Sequence, residues 1–416
     1  MTKTQSKIFV GLTNIASILS DIKHTFAALG VEAITAVHQN HAGNIIHNQV
    51  DYDFSQMKHY WFGGVRPRFV QKKLQERWLK PEDRIWRKAV KECGTFVFIW
   101  NTFQPNYEDI AALKKMGKKV INVFVGDDVR WHKACAQEYV HFSMYPPEYD
   151  QADRFTIQDL TQRLRFLRTA EKQADFIFSR LDQAQLALRP YHRWNMMVNP
   201  GNIIENPSQR KQRPVIAHAP SNRKAKGSDY LLQALDQLEK EGVEFELKLI
   251  EGVTHKTALQ MYQDADILVD QLLFPGTGKL STEGLASGCV VLSHMAYDKY
   301  PQNNPADCPI IDVDPDNVYQ QLKDLIPDYA RREKLAKQGR TYVEQHLDVK
   351  YFCEKILQLI SGEKLDYDYT PSFFRQHFVP GSEEASILYN QWTDFVKDCD
   401  WYQQYVPEGE RAGLKF

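Results

Sequence analysis

Short apolar runs alternate with stretches of helical periodicity along most of the chain. Between Pro214 and His294 the runs PVIAHAP, FELKLI, DILVDQ and CVVLSH are β-rich, and amphipathic segments separate them. That alternation predicts βαβ units and a parallel sheet. In the first of these segments Leu231, Leu232, Leu235 and Leu238 recur at helical spacing, with Ser228 placed as N-cap and Gly242 past the C-terminus. The chain opens in the same way: strand Lys7–Leu12, a loop from Gly11 to Ala16, a helix to Gly30, then the strand AITAV. TFVFIW (95–100) is continuously apolar, as a buried parallel strand requires. A helix is expected from Tyr107 to Met116, then a strand KVINVFV, a helix Leu160–Gln173 and a strand Asp175–Ser179. Two amphipathic helices are expected across 315–362, the second running without a break through KLAKQGRTYVEQHL into KYFCEKILQLI. The pattern divides the chain into an α/β half at 1–200, an aperiodic linker at 201–213, an α/β half at 214–362 and an extension at 363–416.

Composition narrows the class. The chain has 416 residues, 25% of them charged and 43% hydrophobic, with a formal net charge of −1, which argues against general nucleic-acid binding. Six widely spaced cysteines without a Cys-x-x-Cys pair suggest reduced thiols and no zinc site. No signal peptide and no apolar run approaching ~18 residues are present, so a cytoplasmic protein is expected. One segment departs from the balance: residues 66–91 carry ten Lys/Arg against three Asp/Glu, with Trp78 and Trp86 interleaved. That segment is either a contact to an anionic membrane surface, which would make the protein peripheral at the inner membrane face, or an exposed helix face around a core-facing stripe. The extension has ten carboxylates against five cations and is dense in aromatics. Four histidines at 38, 41, 47 and 59 have no metal-ligand spacing, and a loop forming part of an acceptor site is expected there.

The candidate chemistry lies where strands hand over to helices. Arg223 and Lys226 flank a loop that opens a helix, where free N–H groups already favour anions; together they make a diphosphate cradle. Downstream, Pro275-Gly276-Thr277-Gly278 leads into a helix carrying Glu283, whose ionised carboxylate accepts hydrogen bonds only and suits a ribose diol. Glu251, Gly252 and His255 follow the strand FELKLI and are candidates for gripping a base. After KVINVFV comes Gly126-Asp127-Asp128-Val129-Arg130, and after the first strand come Gly11 and Asn14, all at the strand ends where open α/β sheets bind ligands.

The composite Arg-x-x-Lys-Gly, then AD-I-x-VDQ, then G-x-x-x-x-E-G-x-A-S-G-x-V-V resembles the donor domain of retaining, nucleotide-sugar-dependent glycosyltransferases of the GT-B fold, the family 4-like or group 1 enzymes. The resemblance implies two Rossmann-like domains across a cleft, with the N-terminal one on the acceptor side, the C-terminal one holding the donor, and the extension returning to the N-terminal domain through Ser386–Val396. It implies Arg223, Lys226, Thr277 and Gly278 on the donor diphosphate, Glu283 on the ribose, and Asp127, Asp128 and Arg130 as catalytic residues beside the cleft contacts Gly11 and Asn14. The donor is expected to be a UDP-sugar, the acceptor a glycan or lipid-linked molecule of polysaccharide or glycolipid biosynthesis, with no cofactor and no metal. Two family residues are absent: Val125 stands where relatives carry a cleft histidine, and Pro275 where many carry a first glutamate that holds the donor sugar. Both substitutions keep open a catalytically silent nucleotide-sugar-binding protein, or a GT-B-like epimerase or hydrolase.

Overall fold

The computed structural model describes residues 7–15, 17–38, 50–57, 81–104, 107–139, 141, 156–180, 182–184, 186–205, 213–299 and 301–368. In the first half, β1 (Lys7–Leu12), β2 (Ala33–Val37), β3 (Tyr52–Asp53), β4 (Cys93–Ile99), β5 (Lys119–Val123), β6 (Phe176–Ser179) and β7 (His192–Arg193) pair in parallel in the order β3-β2-β1-β4-β5-β6-β7. The central strands are apolar at nearly every position because helices cover both faces. Phe9, Phe96 and Phe98 face one core, while Ile8, Val10, Val97 and Ile99 face the other. The helices of this half are α1 (Ile18–Ala28), α2 (Pro81–Glu92), α3 (Glu108–Lys115), α4 (His132–Glu138) and α5 (Ile157–Gln173).

The second half repeats the plan with β8 (Val215–His218), β9 (Glu246–Leu249), β10 (Ile267–Val269), β11 (Val290–Ser293) and β12 (Ile311–Asp312), parallel in the order β12-β11-β10-β8-β9. Its helices are α6 (Ser228–Lys240), α7 (His255–Gln263), α8 (Lys279–Ala286), α9 (Val318–Leu325) and α10 (Tyr329–Tyr342). Strand order reverses between β1 and β4 in one sheet and between β8 and β10 in the other. Loops leaving such neighbouring strands splay apart and open a crevice at the carboxyl edge. Loops from both of these edges line a single cleft of about 890 Å³.

The structure redraws the C-terminal end of the second half. The expected long helix is broken: α10 continues through a π-helical turn to Leu347, Asp348 is extended (φ −70°, ψ 127°), and α11 (Val349–Ser361) starts afresh. Asp348 caps α11 by accepting from Lys350 N (2.8 Å), and Val198 bridges the break through Val198 N–Leu347 O (3.0 Å) and Val349 N–Val198 O (2.9 Å). α11 then buries Phe352, Cys353, Ile356 and Leu359 in the first half's core with Ile22 and Phe26. The returning element is thus α11, inside the segment 214–362. Residues 363–368 follow it onto β7, where Asp368 accepts from Arg193 N (2.6 Å) and Tyr367 stacks on His192. Residues 369–416, with Ser386–Val396, lie outside the described residues.

Residues 66–80 of the basic segment also lie outside them, and 81–91 fall within α2. That helix turns Ile85 and Ala89 inward, and Trp86 packs on Phe96 and Phe103 (centroids 6.1 and 5.2 Å). Among the described residues no helix is long and apolar enough to cross a membrane.

Candidate active site

On the second half's side the site starts at His218, the last residue of β8. It is buried between Val269 O (Nδ1, 2.8 Å) and Ser228 Oγ (Nε2, 2.8 Å), and burial lowers its pKa. Ser228 therefore points inward and does not cap α6; Gly227, at φ +75°, takes the cap position. A Cβ at residue 227 would meet Leu272 Cβ at 3.0 Å, so close packing as well as φ selects glycine. Between β8 and α6 the chain makes one helical turn, Arg223–Lys226, capped by Asn222 accepting from Ala225 N (3.0 Å).

Two of this turn's three cations, Lys226 and Arg223, go to different places. Lys226 Nζ lies in the cleft, 2.7 Å from both Asp270 Oδ1 and Gln271 Oε1. Arg223 turns to the surface and grips Glu251 with both ends of its guanidinium (Nε–Oε1 2.8 Å), which raises the arginine's pKa and lowers the glutamate's. Arg223, Glu251 and Gly252 do not line the cleft. Of the residues expected on the diphosphate, Lys226, Thr277 and Gly278 line the cleft and Arg223 does not; of those expected on the base, His255 lines it.

Asp270, at the end of β10, joins the lysine to the helix beyond. Its Oδ1 faces Lys226, while its Oδ2 accepts from Ser281 N (3.2 Å) and Ser281 Oγ (2.6 Å) in the first turn of α8. Thr277 and the cap residue Gly278 line the cleft just before that turn. A Cβ at Gly278 would fall 2.7 Å from Asp270 Oδ2, so the carboxylate's approach requires glycine. Glu283 lies in the second turn of α8, 3% exposed, at the cleft wall. Its Oε1 is 2.7 Å from Nε2 of His255, the first residue of α7, and this hydrogen bond raises the histidine's pKa. Residues expected to hold a ribose and a base separately form one unit. α8 also reaches across to the first half: Thr282 Oγ1 donates to Met196 O (2.6 Å), and Lys279 Nζ donates to Met197 O (2.8 Å) and meets Asp21 Oδ2 at 3.1 Å.

The opposite wall comes from the turn after β5. Asp128 is buried and builds that turn by accepting from Gly126 N (2.8 Å) and Val125 N (3.2 Å); burial lifts its pKa to about 7. It does not line the main cleft. Asp127 does, and its carboxylate bonds Nε2 of His132. Arg130 also lines it, its guanidinium 5.7 Å from the Phe274 ring centroid, with Lys226 Nζ 5.6 Å from the same centroid. Two cations from opposite halves thus converge on one aromatic ring. Asn14 lines the cleft, and its Oδ1 accepts from Leu19 N (3.2 Å) in α1. Gly11 lies within β1, paired with Ala36 and Phe98, and not in the loop.

Arg180 escaped the sequence reading. It follows β6, lines the cleft at 2% exposure and bonds Asp182 Oδ1 (2.9 Å) and Asn195 Oδ1 (3.0 Å). Asn303 of the second half donates to the same Asp182 oxygen (2.6 Å). Its place at a strand's carboxyl end is the signal that would have found it.

No family profile and no curated protein matches the sequence. Solved structures match over most of the chain. Sucrose-phosphate synthase from Thermosynechococcus elongatus is 13% identical, with 86% of this chain and 98% of that one covered and a TM-score of 0.56. Anabaena HepE in complex with UDP is 11% identical, with 86% and 100% covered and a TM-score of 0.51. TarM is 10% identical, with 86% and 99% covered and a TM-score of 0.52. The chain has the GT-B fold: two Rossmann-like domains facing each other across a cleft.

Proposed function

We propose that the chain is a glycosyltransferase that moves a sugar from a nucleotide-sugar donor, a UDP-sugar in the favoured case, to a glycan or lipid-linked acceptor. One observation carries the proposal: Lys226, the Thr277–Gly278 loop and Glu283 line the same interdomain cleft at the strand switch points. Likeness to HepE, solved with UDP, supports the choice of base. In this proposal Glu283, held by His255, accepts from the ribose hydroxyls. Lys226 and Arg130 face the diphosphate, whose charge grows as the sugar departs, and fixed cations aimed at developing charge lower the barrier. They do so without a metal, so chelation by EDTA should leave turnover unchanged.

Retention of anomeric configuration belongs to the proposal on the strength of the motif. The Asp127–His132 pair supports the second course, in which Asp127 takes the proton from the acceptor hydroxyl and configuration inverts. The anomeric proton of the product, read by NMR, separates the two. Pro275 and Val125 favour the further alternatives of a silent binder or an enzyme acting on the donor alone.

The test is a thermal-shift screen of UDP-, GDP- and ADP-sugars, followed by turnover with and without acceptor. A donor bound to the folded state alone must raise the melting temperature. Turnover that needs an acceptor supports transfer, turnover without one supports an epimerase or hydrolase, and a shift without turnover supports a silent binder. No shift with any nucleotide sugar would sink all three.

A further inference from the structure

The loops leaving β4 and β5, with α5 behind them, enclose a second cleft of about 830 Å³. It joins the first through His38, Trp100, Asn101 and Asp127, which line both. The two differ in electrostatic character. The first carries four cations, Lys226, Arg130, Arg180 and Lys279, against the two carboxylates Asp127 and Glu283, an excess suited to an anionic donor. The second has two carboxylates, Asp127 and Asp159, the buried carboxyl of Asp128, which burial lifts to about 7, and one guanidinium, Arg163. Arg163 is 4% exposed and committed: its Nε lies 2.6 Å from Asp159 Oδ2 and its Nη1 donates to Asp127 O. An incoming phosphate would meet net negative charge there. Hydroxyl groups would meet acceptors, because carboxylates and amide oxygens take O–H donors readily.

The apolar part of the lining points the same way. Trp100 leaves β4 at φ +65°, a conformation that is an outlier for a bulky residue. The surroundings hold it: Trp100 N donates to Val123 O (3.0 Å) and the Tyr107 hydroxyl donates to Trp100 O. Its half-buried indole stands where the clefts meet. The exposed amides of Gln104 and Gln162 lie on the second cleft's rim. An aromatic ring for the apolar face of a pyranose, with amides and carboxylates for its hydroxyls, is the chemistry of an uncharged sugar.

We propose that this second cleft binds the acceptor as an uncharged saccharide, packed on Trp100 and held through Gln104, Gln162 and Asp159, and that it discriminates against phosphorylated acceptors. The acceptor hydroxyl then lies beside Asp127, where the clefts join. This rests on the transferase reading above, but its test does not depend on the donor.

Saturation-transfer NMR on the full chain would use methyl glycosides, uncharged disaccharides and the matching sugar 6-phosphates as probes. Uncharged probes should bind and their phosphates should bind at least tenfold more weakly. Trp100→Ala should abolish saccharide binding. Gln162→Lys, an exposed helix position suited to a folded variant, should narrow the tenfold gap by adding a cation. Phosphates that bind as well as or better than their parents would overturn the proposal, as would no uncharged probe binding, or full binding by Trp100→Ala. UDP thermal shift is read separately. Its absence in the wild type would sink the donor reading, while the saccharide result would still decide this one.

Discussion

Arg223 and Lys226 stand in one helical turn, yet only Lys226 reaches the cleft. The sequence shows two cations at a helix start but not their directions, because those depend on Asn222 capping the turn and on where Glu251 and Asp270 sit. Lys226→Ala should weaken UDP binding by about 1.5–3 kcal/mol, as loss of a charged hydrogen bond does. Arg223→Ala should change it by less than about 0.5 kcal/mol, the usual scale for a surface site. Calorimetry at a temperature where both variants stay folded checks the contrast, and equal losses would contradict it. Asp128 shows the opposite limit of legibility. Its position beside the cleft was readable, but its burial and its role in building the turn were not. Its carboxyl is lifted from 3.8 to about 7, so the folded chain holds that proton more tightly than the unfolded chain. The stabilisation is full below about pH 3.8 and is lost as pH rises through about 7. Asn at this position keeps an acceptor for Gly126 N and never ionises. The urea midpoint of Asp128→Asn, relative to wild type, should therefore improve between about pH 4.5 and 7.5; a flat difference would count against the burial argument.

At the scale of elements, strands were the most legible part of the chain. β1 and β2 coincide with KIFVGL and AITAV, and the four runs of the second half each hold a strand. Apolar composition decides the inner strands because parallel strands are buried on both faces, whereas the edge strand β9 is exposed or half-buried along its length. The break at Asp348 was not legible. Helical periodicity runs on through it, and what interrupts the helix is a contact with Val198, far away in sequence. α11 therefore belongs energetically to the first half. Phe352→Ala should destabilise that half by about 3–5 kcal/mol, the usual cost of emptying a buried aromatic site. Hydrogen exchange should then rise first in α1 and β1, which share its core, and later in β10 and β11. Faster exchange confined to the second sheet would show that α11 had been assigned to the wrong half.

At the scale of the whole molecule, two α/β halves could be read from the alternation of strands and helices, but their relative placement could not. That placement rests on α11 crossing back and on single bonds between halves, such as Thr282 Oγ1 to Met196 O and Asn303 to Asp182. It brings Asp127 and Arg130 opposite Lys226 and Glu283, so the site exists only when both halves face each other. The pairing of Glu283 with His255 comes instead from packing within the second half, where α7 and α8 carry the two residues separately. The most direct measurement of the central claim is a cycle of protein change against ligand change. UDP and its 2′,3′-dideoxy analogue are titrated calorimetrically into the wild type and into Glu283→Gln. If Glu283 grips the ribose diol, the substitution weakens UDP strongly and the analogue little, with a coupling energy of about 1.5–3 kcal/mol. A coupling energy indistinguishable from zero, with both ligands affected alike, would contradict the ribose contact and with it the nucleotide-sugar site.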